Sequence, residues 1–291
     1  MRLIAEAAVK NTILQIRKES QNQKNYYALN DALSDNISAF KDIEIGDGKA
    51  NICYNYIDEQ SAERLTRYGT SDEEGKININ KIDLAVLERL FIIGVGLDQI
   101  EAQELAASII DWRDSDSELS IPSGSAEGQY YRNLEYPYEV KNAEFEVPDE
   151  LLLVKGMTQD IFEKTKNYIT IYGDGRVNIN TAPKIVLLAL GLSEDIVAKI
   201  LFLRYGQDGI MGTSDDNILE DSSDIMPKLR QSYGLNDAEV TQMSTISDKY
   251  LSTKSDNFMI RGIARLNNRN TISEVVCVVN RIGEIMYWQE S

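Results

Sequence analysis

The sequence predicts an α+β protein in which the two ends of the chain build one sheet on one long helix, with a mostly helical insertion between them. Three observations predict it. Residues Arg2 to about Asn36 place Ile4, Ala8, Ile13, Ile16, Leu29 and Leu33 at near-helical intervals without a Gly or Pro. The closing runs "NFMIRGIARLNN", "ISEVVCVVNR" and "IGEIMYWQE" are strand-like and separated by turn residues. The middle repeats itself: "GKININ" (Gly75 to Asn80) matches "GRVNIN" (Gly175 to Asn180), and Ala107, Ile109 and Arg113 correspond to Ala198, Ile200 and Arg204.

Taken in order, the first segment reads as one long helix or two in succession, followed by turn residues "GDGKA" and the alternating run "NICYNYIDE". Each repeat then reads as strand, helix, hairpin, helix. In "GRVNINTAPKIVLLALGLSEDIVAKIL", Val177 and Ile179 are strand-like, Pro183 opens an apolar helix, and Gly191 marks a tight turn before a second helix. That is a helix-hairpin-helix pattern. Between the copies, "DELLLVKGMTQDIFEKTKNYI" repeats helix, Gly156, helix, and the stripes Leu84, Leu87, Leu90, Phe91 and Ile196, Ile200, Leu203 read as core. The expected organisation is residues 1–75 for the first helix and strands, 76–252 for the insertion (repeats 76–172 and 173–252), and 253–291 for the closing strands.

Helix-hairpin-helix units commonly grip nucleic acid phosphates, but the charge opposes that use here. Asp and Glu total 47 against 30 Lys and Arg, a formal net charge of −17, and nucleic acid affinity comes mainly from Lys and Arg displacing counterions. The hairpin tips "GVGLDQIE" and "GLSEDIVA" also present acids. Histidine is absent and the only cysteines are Cys53 and Cys277, so neither a Cys/His zinc site nor Ser-His or Cys-His catalysis can be built. Both cysteines lie in strand-like runs and read as small buried hydrophobes. No Gly-Lys-Ser/Thr phosphate loop and no nucleophile elbow occurs, so no enzyme is expected. No window approaches the roughly 18 apolar residues of a membrane helix.

Each repeat ends in an acidic loop. The first, "DWRDSDSELSIPSGSAEGQYY", carries Asp111, Asp114, Asp116, Glu118 and Glu127; the second, "YGQDGIMGTSDDNILEDSSD", carries six carboxylates and no base. Crowded carboxylates repel unless a cation is shared among them, and Ca²⁺ accepts six to eight oxygens in an irregular loop. The candidate ligands are Asp114, Asp116 and Glu127 in the first loop, and Asp208, Asp215 and Asp216, with turn-forming Gly209 and Gly212, in the second. Neither loop has EF-hand spacing.

In this order and spacing, "GKININ", "IIDWRDSDS", "GSAEGQYY", "PYEVKNAEF", "DELLLVKGMT", "TIYGDGRVNINTAP" and the closing strands resemble the K family of type II secretion system minor pseudopilins, from about Arg2 to Trp288. The resemblance implies a pilin-like fold, a long helix on an antiparallel sheet, carrying a large helical insertion with SAM-like helix-hairpin-helix units and bound Ca²⁺. It implies a non-enzymatic subunit at the pseudopilus tip, nucleating or capping assembly with minor pseudopilins I and J during protein export, without nucleic acid. Family members begin with a prepilin signal and an apolar membrane helix. On that reading the residues before "RLIAEAAVKNTILQI" were removed for solubility, Met1 is a vector start, and the full-length protein is periplasmic and anchored in the inner membrane. The first helix would supply the contact with the sister subunits, through Ile4 and Ala8. Competing readings are a competence-type DNA receptor, which needs bases where the tips carry acids, a calcium-dependent surface hydrolase without nucleophile machinery, and a tip pilin of a related pilus, which would read identically.

Overall fold

The structure, a computed structural model, describes residues 1–21, 26–59, 63–121, 124–267 and 271–291. Helix α1 (Arg2–Ser20) is supported by Glu6, which pairs with Arg2 and Lys10 one turn away on either side at 3.2 Å each, and by Arg17 and Lys18 in its last turn. It ends at Ser20, so the expected helical continuation to Asn36 is corrected. Tyr27 to Asn36 form short turns, tied by their backbone to distant segments at three points. Tyr27 N–H donates to Thr253 O (3.0 Å), Asn36 N–H to Tyr68 O (2.7 Å), and Leu33 O accepts from Thr70 N–H (2.7 Å).

A short helix α2 (Ile37–Phe40), capped by Asn36, leads into strands β1 (Ile43–Ile45) and β2 (Gly48–Ile52), a hairpin β3 (Tyr54–Ile57) and β4 (Arg64–Arg67), and β5 (Ser71–Asp72). The helical middle of the chain follows. It runs through β6 (Ile77–Asn78), α3 (Leu84–Val95), α4 (Gln99–Arg113), α5 (Gly128–Arg132), a 3-10 turn (Pro148–Leu153), α6 (Gln159–Thr165) and β7 (Ile169–Thr170). It continues through β8 (Val177–Asn178), α7 (Lys184–Ala189), α8 (Glu194–Arg204), a 3-10 turn (Ser222–Asp224), α9 (Ile225–Tyr233), α10 (Asp237–Tyr250) and β9 (Leu251–Ser252). Strands β10 (Asn257–Leu266), β11 (Ile272–Asn280) and β12 (Ile285–Glu290) close the chain.

The main sheet is antiparallel throughout, in the order β1-β2-β10-β11-β12, with β5 pairing the end of β10 that β2 leaves free. Alternation along β10 and β11 sends Ile260, Ala264, Val275, Cys277 and Val279 to one face, where they meet Ala5, Ala8, Val9, Ile13 and Ile16 of α1. Gly262 lies where helix and sheet approach closely: a Cβ there would stand 2.7 Å from Val9 Cγ2. Cys53 and Cys277 are buried free thiols.

This packing corrects the expected contact through Ile4 and Ala8. Ala8 is only 1% exposed because it faces the protein's own sheet, and Ile4 is half-buried against the same cluster. The outward face of α1 instead carries Leu3 (71% exposed), Ala7 and Leu14 (60% exposed). Among the described residues no helix is long and apolar enough to cross a membrane.

The repeated middle has its own hydrophobic cluster, and the Asn-Ile-Asn signature explains its geometry. Each copy closes on itself by a two-residue parallel pairing, β6 with β7 (Ile77 opposite Ile169) and β8 with β9 (Val177 opposite Leu251). The first asparagine folds back to accept from the second's N–H, Asn78 from Asn80 and Asn178 from Asn180, both at 2.9 Å. The second asparagine then bonds both backbone groups of a residue past the loop's candidate ligands. Asn80 does so with Phe145 (3.0 and 2.8 Å) and Asn180 with Leu219 (2.9 and 3.0 Å). Arg113 donates to Ile82 O and Arg204 to Ala182 O, matching positions in the two copies. The helix pairs turn at Gly96 and Gly191, whose positive φ values (85° and 101°) only glycine adopts without strain.

Where the sheet meets the helical part, Asp72 and Glu74 are buried. Asp72 accepts from Ser255 Oγ (2.6 Å), Thr181 Oγ1 (2.5 Å) and Asn178 Nδ2 (3.2 Å); Glu74 accepts from Asn257 N–H (3.0 Å) and Nδ2 (2.6 Å). Burial, reinforced by the Asp72 charge, pushes Glu74 from 4.5 up to about 8. The folded chain therefore holds a proton that the unfolded chain has released above pH 4.5, so stability from this group is lost as pH rises through that window. Glu74→Gln removes the titration. Its melting temperature is expected to fall less than the wild type's between pH 5 and pH 9, by several degrees; parallel pH profiles would count against the assignment.

Candidate metal centre

The first acidic loop begins inside α4. Asp111 occupies the last turn, and Asp114 caps the helix in extended backbone, turning the chain outward. The loop returns at Glu127, the N-cap of α5, whose Oε2 accepts from Gly128 N–H (3.3 Å). Asn80 pins Phe145 just beyond, which brings Asn142 alongside: its Nδ2 donates to Asp116 O at 2.8 Å, and its φ is +47°. The loop's own amides fix the orientation of two carboxylates, Asp111 Oδ1 accepting from Ser120 N–H (2.9 Å) and Asp116 Oδ1 from Glu118 N–H (2.8 Å).

Carboxylate oxygens of Asp114, Asp116 and Glu127 lie within 4.8 Å of one another. Four nearby oxygens, Asp111 Oδ2, Asp114 Oδ1, Glu127 Oε1 and Asn142 Oδ1, are buried without a hydrogen-bond partner among the described residues. All four are acceptors. Leaving a buried polar group unpaired costs about 1–3 kcal/mol, more when it is charged, and a shared cation would satisfy four such acceptors in one place. Arg113, the nearest base in sequence, is turned away to the carbonyls of Ile79 and Ile82. Burial, and then the Asp116 and Asp111 charges, push the Asp114 carboxyl up; burial, and then the charges of Asp111, Asp114 and Asp116, push Glu127 up. The donor set is all oxygen and largely anionic, and it fits Ca²⁺.

The second loop is arranged differently. Asp215 Oδ2 accepts from the N–H groups of Gln207 (2.7 Å) and Asp208 (3.0 Å) and its Oδ1 from Thr213 Oγ1 (2.6 Å). These bonds, the hydroxyl first, hold its carboxyl down to about 2. Asp216 accepts from Gly212 N–H at 2.7 Å and Asp208 from Ile210 N–H at 2.7 Å. Each carboxylate is thus occupied by its own loop's amides, and among the described residues Asp208, Asp215 and Asp216 do not converge as the first trio does. Mutual repulsion, the expected organising force of this loop, is offset locally by backbone dipoles.

Asn142 is outside the sequence-derived ligand set. It is neutral and 26 residues from Asp116, and only the fold makes it a neighbour. Asp111 belongs to the acidic run, but its position within a helical pattern gives no sign that its carboxylate faces the loop.

Residues 57–174 match the family model of type II secretion system protein K. The chain is 26% identical over 194 residues to type II secretion system protein K of Aeromonas hydrophila, an alignment covering 65% of this chain and 54% of that protein, so it spans about half the length of that relative. Its fold is similar to that of a chain in the crystal structure of the GspK-GspI-GspJ complex from the type 2 secretion system of enterotoxigenic Escherichia coli. That likeness has a TM-score of 0.71 and 17% identity, and covers 98% of this chain and 94% of the other.

Proposed function

We infer that this chain, whose residues 57–174 match the family model of type II secretion system protein K, is a minor pseudopilin of that family. It acts without catalysis at the tip of the secretion pseudopilus, where it nucleates or caps assembly with the sister minor pseudopilins I and J during protein export. The observation that carries this reading is the fold likeness to a chain of a GspK-GspI-GspJ complex over 98% of the present chain, added to the family match. The exposed apolar stripe Leu3, Ala7 and Leu14 on α1 supplies the seam those partners would cover. The helical part is too broad for a slender filament and belongs at its end. Its two helix pairs act as helix-hairpin-helix, SAM-like scaffold units, with acids rather than bases at their tips. The protein works on the periplasmic side of the inner membrane.

Ca²⁺ belongs to this reading. Asp114, Asp116 and Glu127 would hold it, with Asp111 and Asn142 completing the oxygen set, and the ion would neutralise the first loop and fix its course. A second ion at Asp208, Asp215 and Asp216 would have to take those carboxylates from the amides they now accept from. A DNA-receptor role is not favoured by any feature of the hairpin tips. Co-expression with the sister minor pseudopilins I and J of the same secretion system tests the assignment: one co-eluting heterocomplex is expected, and independent elution of this chain would count against it.

A further inference from the structure

A cavity of about 200 Å³ lies under the β3–β4 hairpin, against the start of α7 and the end of α8. Its walls are apolar and aromatic, among them Tyr54, Tyr56, Ile57, Tyr168, Ile185 and Met211. Three guanidiniums line it, Arg64 at the exposed edge and Arg67 and Arg204 inside, the last two each only 4% exposed. That is unusual in a chain of net charge −17. The carboxylates lining it offset them only through space: the Glu59 charge favours the Arg204 cation without a direct contact. Asp72 is covered by three side-chain donors, and Glu59 Oε1 accepts from Lys184 N–H at 2.8 Å with no ion pair to either buried arginine within 4 Å. Arg67 stacks over Tyr56 (4.3 Å to the ring centroid), donates to Met211 O at 2.7 Å, and meets Asp35 only loosely, at 3.9 Å.

The repeat shows what is left over. Arg113 gives its two terminal nitrogens to the carbonyls of Ile79 and Ile82. Arg204, its counterpart, satisfies one carbonyl, Ala182 O at 2.6 Å, and its other terminal nitrogen meets only the weak acceptor Met211 Sδ. Its Nε–H is buried without an acceptor among the described residues. A buried guanidinium with its Nε–H and one terminal nitrogen left without an oxygen acceptor, in an aromatic-walled cavity, is the complement of an organic anion.

We propose that this cavity binds a carboxylate attached to a small apolar or aromatic group, the carboxylate meeting Arg204 and Arg67 and the apolar group filling the space beside Tyr54, Tyr56 and Ile185. Its volume suits one ring, since a 150 Å³ apolar cavity accommodates benzene. Two sources share this chemistry, a free small carboxylic acid and the C-terminal residue of a polypeptide.

The test is calorimetric titration of the full chain with 3-phenylpropionate and, separately, with 3-phenylpropanamide, which has the same ring without the charge. The acid is expected to bind saturably and the amide at least tenfold more weakly. Arg204→Lys should weaken the acid at least tenfold. Because Arg204 also holds Ala182 O, Ile57→Asp is the companion variant. It places a negative charge at a half-exposed rim position and should weaken the acid while leaving the melting temperature in place. Equal binding of acid and amide, no binding of the acid at millimolar concentration, or acid binding unaffected by Ile57→Asp would each overturn the proposal. Displacement of the bound acid by the tripeptide Ala-Ala-Phe with a free carboxylate would assign the site to polypeptide C-termini, and failure to displace it would assign it to free acids.

Discussion

Chelating Ca²⁺ with EDTA should lower the thermal midpoint of this protein by several degrees, and millimolar Ca²⁺ should restore it. A ligand that binds only the folded state stabilises by about 2.7 kcal/mol at a hundredfold excess over its dissociation constant. For a chain of this size each kcal/mol moves the midpoint by roughly 2–4 °C. The substitutions make the expectation sharper, because their sign depends on the ion. Without it, burial and the neighbouring Asp111 and Asp116 charges disfavour the ionised carboxyls of Asp114 and Glu127, each of which carries an unpaired oxygen, so Asp114→Asn/Glu127→Gln should melt at or above the wild-type temperature in EDTA. In Ca²⁺ the order should reverse, the double variant gaining nothing. Asn142→Gly keeps the positive φ and removes the carboxamide oxygen, so it should reduce the Ca²⁺ shift while leaving the EDTA melt nearly unchanged. Superimposable melts with and without Ca²⁺ would mean that the four orphan oxygens are satisfied by water and that calcium has no part in the fold.

The sequence carried different parts of this picture to different depths. Period-3.6 and period-2 patterns are local, so the helix-plus-sheet class, the closing strands and the two helix pairs could be read directly from runs such as "ISEVVCVVNR" and "KIVLLALGLSEDIVAKIL". The end of α1 could not, because Leu29 and Leu33 keep a helical interval while the backbone of Tyr27 and Leu33 is captured by the Thr253 and Thr70 segments, remote in sequence. The acidic loops look alike as composition, yet one converges on a buried pocket of oxygens and the other folds each carboxylate onto its own amides. The difference lies in where glycine and threonine place N–H and O–H donors, as Gly212 and Thr213 do for Asp216. Asn142 had no local signal at all, since its role depends on Asn80 holding Phe145.

On the proposed function, Leu3→Asp/Leu14→Asp should abolish co-elution with minor pseudopilins I and J while the isolated chain melts as the wild type does. Periodicity alone does not say which side of an amphipathic helix faces its own sheet, and α1 has apolar residues on both. Ala5, Ala8, Val9, Ile13 and Ile16 are consumed by the sheet, whereas Leu3, Ala7 and Leu14 lie together on the opposite face. Burying a leucine against a partner contributes about 1.5–3 kcal/mol, so losing two weakens association by roughly a hundredfold or more, before the added cost of desolvating two carboxylates. In the free chain both positions are already in water, so the substitutions remove almost nothing from the folded state. Ala8→Asp is the control that separates seam from core. It places a charge at a site 1% exposed, under the helix and against β10 and β11, and should cost several kcal/mol of stability, so that binding is lost only because the fold is. Wild-type co-elution by Leu3→Asp/Leu14→Asp, with its fold intact, would place the partner contact elsewhere than on the outer face of α1.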